Sequence, residues 1–179
     1  MFNKILIANR GEIACRVARS AHRMGIQTVG IYSEADKYSQ HTKAMDQAFL
    51  VGPAPAIDSY LKVDHLLEVA KYTKAQAIHP GYGFLSENAD FVETLAHKGL
   101  VFVGPPAEAI RKMGSKSESK KIMEKAGVPI LPGYHGDEQA PEALLKEARR
   151  IGFPVMLKAA LGGGGKGMRI VNNESEFFD

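Results

Sequence analysis

The sequence predicts an α/β protein: an open, mostly parallel sheet covered by helices, followed by the start of a smaller α+β lobe. Three observations carry this. Short apolar runs alternate with stretches of helical period over residues 1–112, the alternation stops after Gly127, and beyond it two strand-like runs flank a run of glycines and could pair antiparallel. The organisation expected is an α/β domain over 1–112, a helical connector over 113–127 and a partial second lobe over 128–179.

Taken in order, "KILIA" reads as the first strand. "GEIACRVARSAHRMG" follows as a helix, because Ile13, Val17, Ala21 and Met24 recur at helical spacing. "QTVGIYS" and "QAFLV" read as strands, "VDHLLEVAKYT" as a helix, "AQAIH" as a strand, "ADFVETLAHKG" as a helix and "LVFVG" as a strand. Then "PAEAIRKMG" and "SKSESKKIMEKAG" form two short helices divided at Gly114, the second capped by Ser115 or Ser117. In the last part, "VPILPGY" is expected as a strand, "PEALLKEARRIG" as a helix and "PVMLKAA" and "GMRIVNN" as strands. "ESEFFD" has the acids of a helix's first turn.

Composition bounds the function classes. With 179 residues, 45% hydrophobic and 24% charged, the chain suits one large or two small globular domains. Its longest apolar runs, such as Ile5–Ala8 and Val101–Val103, are far short of the roughly 20 residues of a membrane span, so no membrane partner is expected. "MFNKILIANRG" lacks the layout of a secretory signal, and no targeting segment is read in it. The single Cys15 excludes an internal disulfide. A net charge of +3 with acids and bases interleaved argues against a nucleic-acid groove. The six histidines show no zinc spacing, so no metal site is expected among these residues.

Three motifs hold chemistry. In "IANRGEIA" only Gly11 follows the first strand, so the dinucleotide pattern GxGxxG fails; a plain turn or an anion at the helix start both remain open. Arg16, Arg19 and Arg23 share the side of that helix opposite its apolar face, as a solvated surface or a partner surface. "HPGYGFLSEN", His79 to Asn88, lies at the carboxyl end of a strand, where open α/β sheets place ligand crevices. A plain turn with Tyr82 and Phe84 packing beneath is its structural alternative.

"KAALGGGGKGMRI" is the third. The Walker pattern fails, because Gly167 stands where a Ser or Thr is needed and Ala160 where a glycine is needed. A simple hairpin needs fewer glycines and leaves the lysine unexplained. A phosphate-covering lid uses both: the amides of Gly162, Gly163, Gly164 and Gly165 point at phosphate oxygens and Lys166 adds charge. Lys158 beneath the loop and Lys116 in "MGSK" are further phosphate-binding candidates.

Together, "KILIANRGEIACR", "HPGYGFLSEN", "RKMGSK", "AGVP" and "GGGGKGMRIV" stand in the order found in biotin carboxylases, which the chain resembles over essentially its whole length. The resemblance implies the ATP-grasp superfamily, with a Rossmann-like pre-ATP-grasp domain before a small lobe that closes over ATP. It implies that ATP phosphorylates bicarbonate to carboxyphosphate and that biotin on a carrier domain is then carboxylated, with Mg2+ neutralising charge. Carried over by motif, Lys116, Lys158 and Gly162 to Lys166 hold ATP, Tyr82 and Gly83 face biotin and bicarbonate, and Arg16 and Arg19 lie at a homodimer interface. Arg23 departs from the acid that many relatives carry at its place.

The resemblance also implies a carboxyltransferase subunit as partner, an acyl-CoA or pyruvate as final acceptor, and the mitochondrial matrix or a bacterial cytoplasm as location. The family's magnesium-binding glutamates, catalytic base and bicarbonate-contacting arginine are expected beyond Asp179, so these residues alone are expected not to carboxylate biotin. Two other readings stay open: a non-catalytic interaction module, and another ATP-grasp ligase such as a carbamoyl phosphate synthetase.

Overall fold

A computed structural model describes residues 1–159 and 167–178. The chain divides into two compact units, Met1–Ile110 and Arg111–Asp179.

In the first unit, strands β1 (Lys4–Ile7), β2 (Gln27–Ser33), β3 (Gln47–Gly52), β4 (Ala77–His79) and β5 (Val101–Phe102) form one sheet in the order β3-β2-β1-β4-β5. Every pairing is parallel. Helix α1 (Gly11–Arg23) joins β1 to β2, a single turn α2 (Gln40–Lys43) precedes β3, α3 (Val63–Thr73) joins β3 to β4, and α4 (Ala89–His97) joins β4 to β5.

The sheet is central because β1 is apolar on both faces, as a parallel strand covered by helices must be. Ile5 and Ile7 pack with Ile13, Ala14, Val17, Ala18 and Ala21 of α1. Leu6 and Ala8 pack on the other side with Leu66 and Ala70 of α3 and with Phe91 and Leu95 of α4. Each fully buried Leu, Ile or Phe contributes about 1.5–3 kcal/mol. Asn88 starts α4 by accepting a 2.8 Å hydrogen bond from the Phe91 amide.

In this order the chain leaves β1 for β2 on one side, while β4 flanks β1 on the other. The crossovers therefore diverge between β1 and β4, which opens a crevice at the carboxyl ends of those strands.

In the second unit, α5 (Ala107–Gly114) enters from the first, and α6 (Lys116–Lys125), α7 (Pro141–Ile151), β6 (Val155–Lys158), β7 (Met168–Val171) and a short 3₁₀ turn at Glu174–Glu176 follow. Ser115 is the cap of α6: its hydroxyl accepts from the Glu118 amide at 3.3 Å. β6 and β7 pair antiparallel from Val155↔Val171 to Lys158↔Met168. Leu145, Ala148, Val171 and Phe177 form the core, with Leu157 and Val155 against it.

The strand expected at "VPILPGY" is absent: residues 128–134 are irregular. Pro129 and Pro132 have no N–H for a ladder, and Val128 and Leu131 are exposed rather than packed on a neighbour. Among the described residues, no helix is long and apolar enough to cross a membrane.

Candidate functional site

The crevice between β1 and β4 is built from the residues that leave the two strands. Ala8 makes the last backbone rung, its amide donating to the His79 carbonyl at 2.8 Å. The next residue, Asn9, is 4% exposed, and its Nδ2 donates to the carbonyls of Pro80 at 2.7 Å and Tyr82 at 2.8 Å. Its Oδ1 accepts from the Arg10 amide at 2.9 Å. Two acceptors facing one atom and a donor facing the other fix which way the carboxamide points.

The turn that Asn9 holds contains both residues singled out at this end of the sheet. Tyr82 is 63% exposed, and Gly83 follows with φ +67°. Gly81 has φ +65°, and a Cβ there would lie 2.8 Å from Asn9 Nδ2, so no other residue fits. Phe84, at φ 42°, occupies a conformation that non-glycine residues rarely adopt. Its ring stacks on Tyr60 at 5.2 Å between centroids and 6° between planes.

Tyr60 is in turn anchored by charge. Its hydroxyl donates to Asp36 at 2.5 Å and accepts from the Ser33 amide at 3.0 Å. Asp36 also takes a bidentate pair from Arg10, Nε to Oδ2 and Nη2 to Oδ1, both at 2.5 Å. The Arg10 guanidinium outweighs burial and holds the Asp36 carboxyl well below the usual carboxylate range. Burial, reinforced by the bond to Asp36, pushes the Tyr60 phenol up. His79 is pushed down by burial and by the Arg16 guanidinium, so its imidazole is neutral and its Nδ1 accepts from the Gly81 amide at 3.0 Å. Arg16 and Arg19 are both exposed on α1.

The nucleotide candidates lie in the second unit. Lys116 is the first residue of α6, directly after its Ser115 cap. Lys158 is the last residue of β6 and points to the face away from the core. Strand alternation places Met156 on that face too, and the register puts Met168 and Ile170 opposite them. Met156, Met168 and Ile170 are 44%, 43% and 60% exposed, leaving a flat apolar surface beside a lysine. The Ala159 amide donates to the Gly167 carbonyl at 3.0 Å, next to the Lys158–Met168 pair. The lid candidates Gly162, Gly163, Gly164, Gly165 and Lys166 lie outside the described residues.

A hollow of about 550 Å³ in the second unit, lined by Lys121, Ile130, Tyr134, His135 and Arg150, holds none of these candidates. Its lysine and arginine are matched by acids, Lys121 with Asp137 at 2.9 Å and Arg150 with Glu147 at 2.7 Å, and His135 Nε2 lies 3.1 Å from Glu124. Among the described residues, no three His, Cys, Asp or Glu side chains gather as a metal site.

Sequence reasoning passed over Asn9, Arg10, Asp36 and Tyr60, and also the Met156, Met168 and Ile170 face. The second was readable as strand alternation around Lys158; the first joins residues far apart in the chain and left only the signal of polar residues just past a buried strand.

A doubly wound parallel sheet with a crevice at its switch point, followed by a small lobe with an antiparallel hairpin, defines the class: an open α/β domain followed by the start of a lobe of the ATP-grasp kind. The chain belongs to the biotin carboxylase family: residues 1–110 match "Biotin carboxylase, N-terminal domain". Residues 115–179 match "Carbamoyl-phosphate synthase L chain, ATP binding domain".

Among curated relatives, the mitochondrial methylcrotonoyl-CoA carboxylase subunit alpha of Dictyostelium discoideum is 58% identical over 176 residues, 98% of this chain and 25% of that protein. The chain thus spans about a quarter of the length of the curated relatives it matches. Among solved structures, a Campylobacter jejuni biotin carboxylase in complex with β,γ-ATP gives a TM-score of 0.93 at 47% identity, covering 99% of this chain and 40% of that one. The biotin carboxylase domain dimer of Hydrogenobacter thermophilus 2-oxoglutarate carboxylase, with MgADP, ADP and bicarbonate, gives 0.91 at 47% identity, covering 99% and 39%.

Proposed function

We propose that this chain forms the N-terminal part of a biotin carboxylase that uses ATP and bicarbonate to carboxylate biotin on a carrier domain. This is the first half-reaction of an acyl-CoA carboxylase. The observation that carries the reading is the β6–β7 face, where Lys158 is set among Met156, Met168 and Ile170. A flat base lies on an apolar surface, and a phosphate tail needs cations at one edge of it. Lys158 and Lys116 supply those charges, with Lys166 and Gly162 to Gly165 covering the phosphates. Mg2+, when bound, shields charge on the transferring phosphoryl group; the described residues offer no cluster to hold it.

Tyr82 and Gly83 present the turn at the β1/β4 crevice to bicarbonate and biotin. The rigidity of that turn keeps the reacting groups aligned. Arg16 and Arg19 serve a homodimer interface, and a carboxyltransferase subunit uses the carboxybiotin. The stretches "GPAPAIDSYL" and "GYHGDEQ", with the relatives found, favour methylcrotonoyl-CoA as acceptor, in leucine degradation in the mitochondrial matrix. Propionyl-CoA, acetyl-CoA or pyruvate is the alternative acceptor.

The test is the full-length chain given ATP, Mg2+, bicarbonate and free biotin. Release of ADP that depends on both bicarbonate and biotin is expected; ATP binding without biotin-dependent turnover would instead favour an interaction module. With the carboxyltransferase subunit added, carboxylation of methylcrotonoyl-CoA ahead of propionyl-CoA is expected, and the reverse order would reassign the acceptor.

A further inference from the structure

The turn bearing Tyr82 and Gly83 lies where the sheet gives least support. Its neighbours β1 and β4 end at the Ala8–His79 rung, and the crossovers diverge there. Within the turn, the Gly81 amide bonds His79 Nδ1 and the Ser86 amide bonds the Gly83 carbonyl. Both bonds are local. Asn9 is the group that reaches in from a different strand, and both its N–H bonds end on carbonyls of this turn.

We propose that Asn9 is a positioning residue whose carboxamide adds one more rung to the β1–β4 ladder and holds the Tyr82–Gly83 turn in its substrate-facing conformation. This rests on the reading above that Tyr82 and Gly83 face biotin and bicarbonate. The chemistry requires an amide. A residue that cannot donate twice leaves a carbonyl of the turn unmatched, and a carboxylate of the same shape sets one of its oxygens against both carbonyl oxygens. The stacked Tyr60–Phe84 pair holds the far end of the turn, so loss of Asn9 frees the middle of the turn and not the whole loop.

Asn9→Asp is the diagnostic substitution, because it keeps the shape and reverses the polarity. The introduced acid, buried against two carbonyls, titrates above the usual carboxylate range, and its protonated form restores one bond. The other charged or titratable groups around the turn are Arg10 paired to Asp36, Arg16, His79, Tyr60 against Phe84 and Tyr82 itself, all shared with wild type. In the full-length chain at about pH 8, the variant is expected to raise KM for free biotin about tenfold or more, with KM for ATP changed less than about twofold. The biotin defect should shrink as pH falls towards about 6. Amide exchange across residues 81–84 should quicken at pH 8, and Asn9→Ser, with one donor, should fall between the two.

Wild-type biotin kinetics in Asn9→Asp, or an equal rise in both KM values, would overturn the proposal. If the wild-type chain carboxylated no biotin, the functional reading would fail. Amide exchange would then judge Asn9 alone, and unchanged protection of 81–84 in both variants would overturn its role.

Discussion

Arg10 and Asp36 form a bidentate pair across the carboxyl edge of the parallel sheet, 26 residues apart in the chain, with both nitrogen–oxygen distances at 2.5 Å. The two partners are unequally buried: the Arg10 side chain is 48% exposed and that of Asp36 is 7% exposed. The guanidinium can rehydrate if the pair is broken. The carboxylate and the hydroxyl of Tyr60 cannot do so without opening the fold, while the half-buried Ser39 donates a further bond to Asp36 at 3.1 Å.

Asp36→Asn should therefore cost about 1–3 kcal/mol, less than the full breaking of a buried pair because Arg10 meets water. The pH dependence gives the sign. Asp36 titrates below its unfolded value, so its contribution is complete above an unfolded pKa of about 3.9 and is lost as pH falls towards the folded value. Urea unfolding at neutral pH should show the deficit, and the gap from wild type should narrow below about pH 4. A gap that stayed constant into acid would mean that the pair contributes nothing through charge.

His41 supplies the opposite sensitivity. It is fully buried, with Nε2 3.1 Å from the Ile31 carbonyl and no hydrogen-bond partner for Nδ1 among the described residues. Burial pushes its pKa below the ordinary histidine value, ahead of the smaller upward pulls of the Ile31 carbonyl and of Asp36. The unfolded chain thus binds the proton more readily. Stability is complete above about pH 6.5 and falls in more acid solution, by up to about 1.4 kcal/mol per pH unit for each such histidine. His41→Gln can keep the bond to Ile31 without titrating, so stability between pH 5 and about 6.5 should fall less steeply than in wild type. His79, shifted the same way, leaves a residual slope that His41→Gln/His79→Gln removes. An unchanged slope in the double variant would place the acid sensitivity elsewhere.

The fold was legible where one chemical pattern decided it. β1, with Ile5, Leu6 and Ile7 buried on two faces, could be only a central parallel strand, and α1 showed its apolar stripe in Ile13, Val17 and Ala21. "VPILPGY" misled because an apolar run makes a strand only with a neighbour to pair, and Pro129 and Pro132 reduce what it can donate. The one-turn α2 escaped notice because four residues, Gln40–Lys43, are too short to display a period. In the crevice, glycines and an aromatic marked the 79–84 turn, but the groups that hold it showed only as polar residues just past a buried strand, with nothing to tie them to the turn. Asn9 and Tyr82 are 73 residues apart, and Tyr60 reaches Asp36 only because parallel crossovers return every strand end to the same edge.

Arg16 and Arg19 are exposed on α1, and Arg16 lies close enough to His79 to depress its pKa. Arg16→Glu/Arg19→Glu should convert the full-length protein to a monomer by sedimentation at micromolar concentration. The same change should raise the His79 pKa measured by NMR, because the cation is removed while burial remains. A rise in the His79 pKa with the dimer intact would show that the charges face the crevice and not a partner.

Lys158 and Met156 project from the same face of β6 and should contribute to nucleotide binding in different ways. The ammonium acts on phosphates, so Lys158→Gln in the full-length chain should weaken ATP by about tenfold or more and adenosine hardly at all. Met156→Asp puts charge on the apolar surface and should weaken ATP and adenosine alike. Salt separates the two effects further, since screening erodes a contact between charges more than apolar packing. Raising ionic strength should thus weaken ATP binding in wild type and do so less in Lys158→Gln. Calorimetric titration of both ligands against both variants checks this. If Lys158→Gln bound ATP like wild type, the phosphate tail would lie elsewhere, and the hairpin face would have to be read as packing surface for another part of the protein.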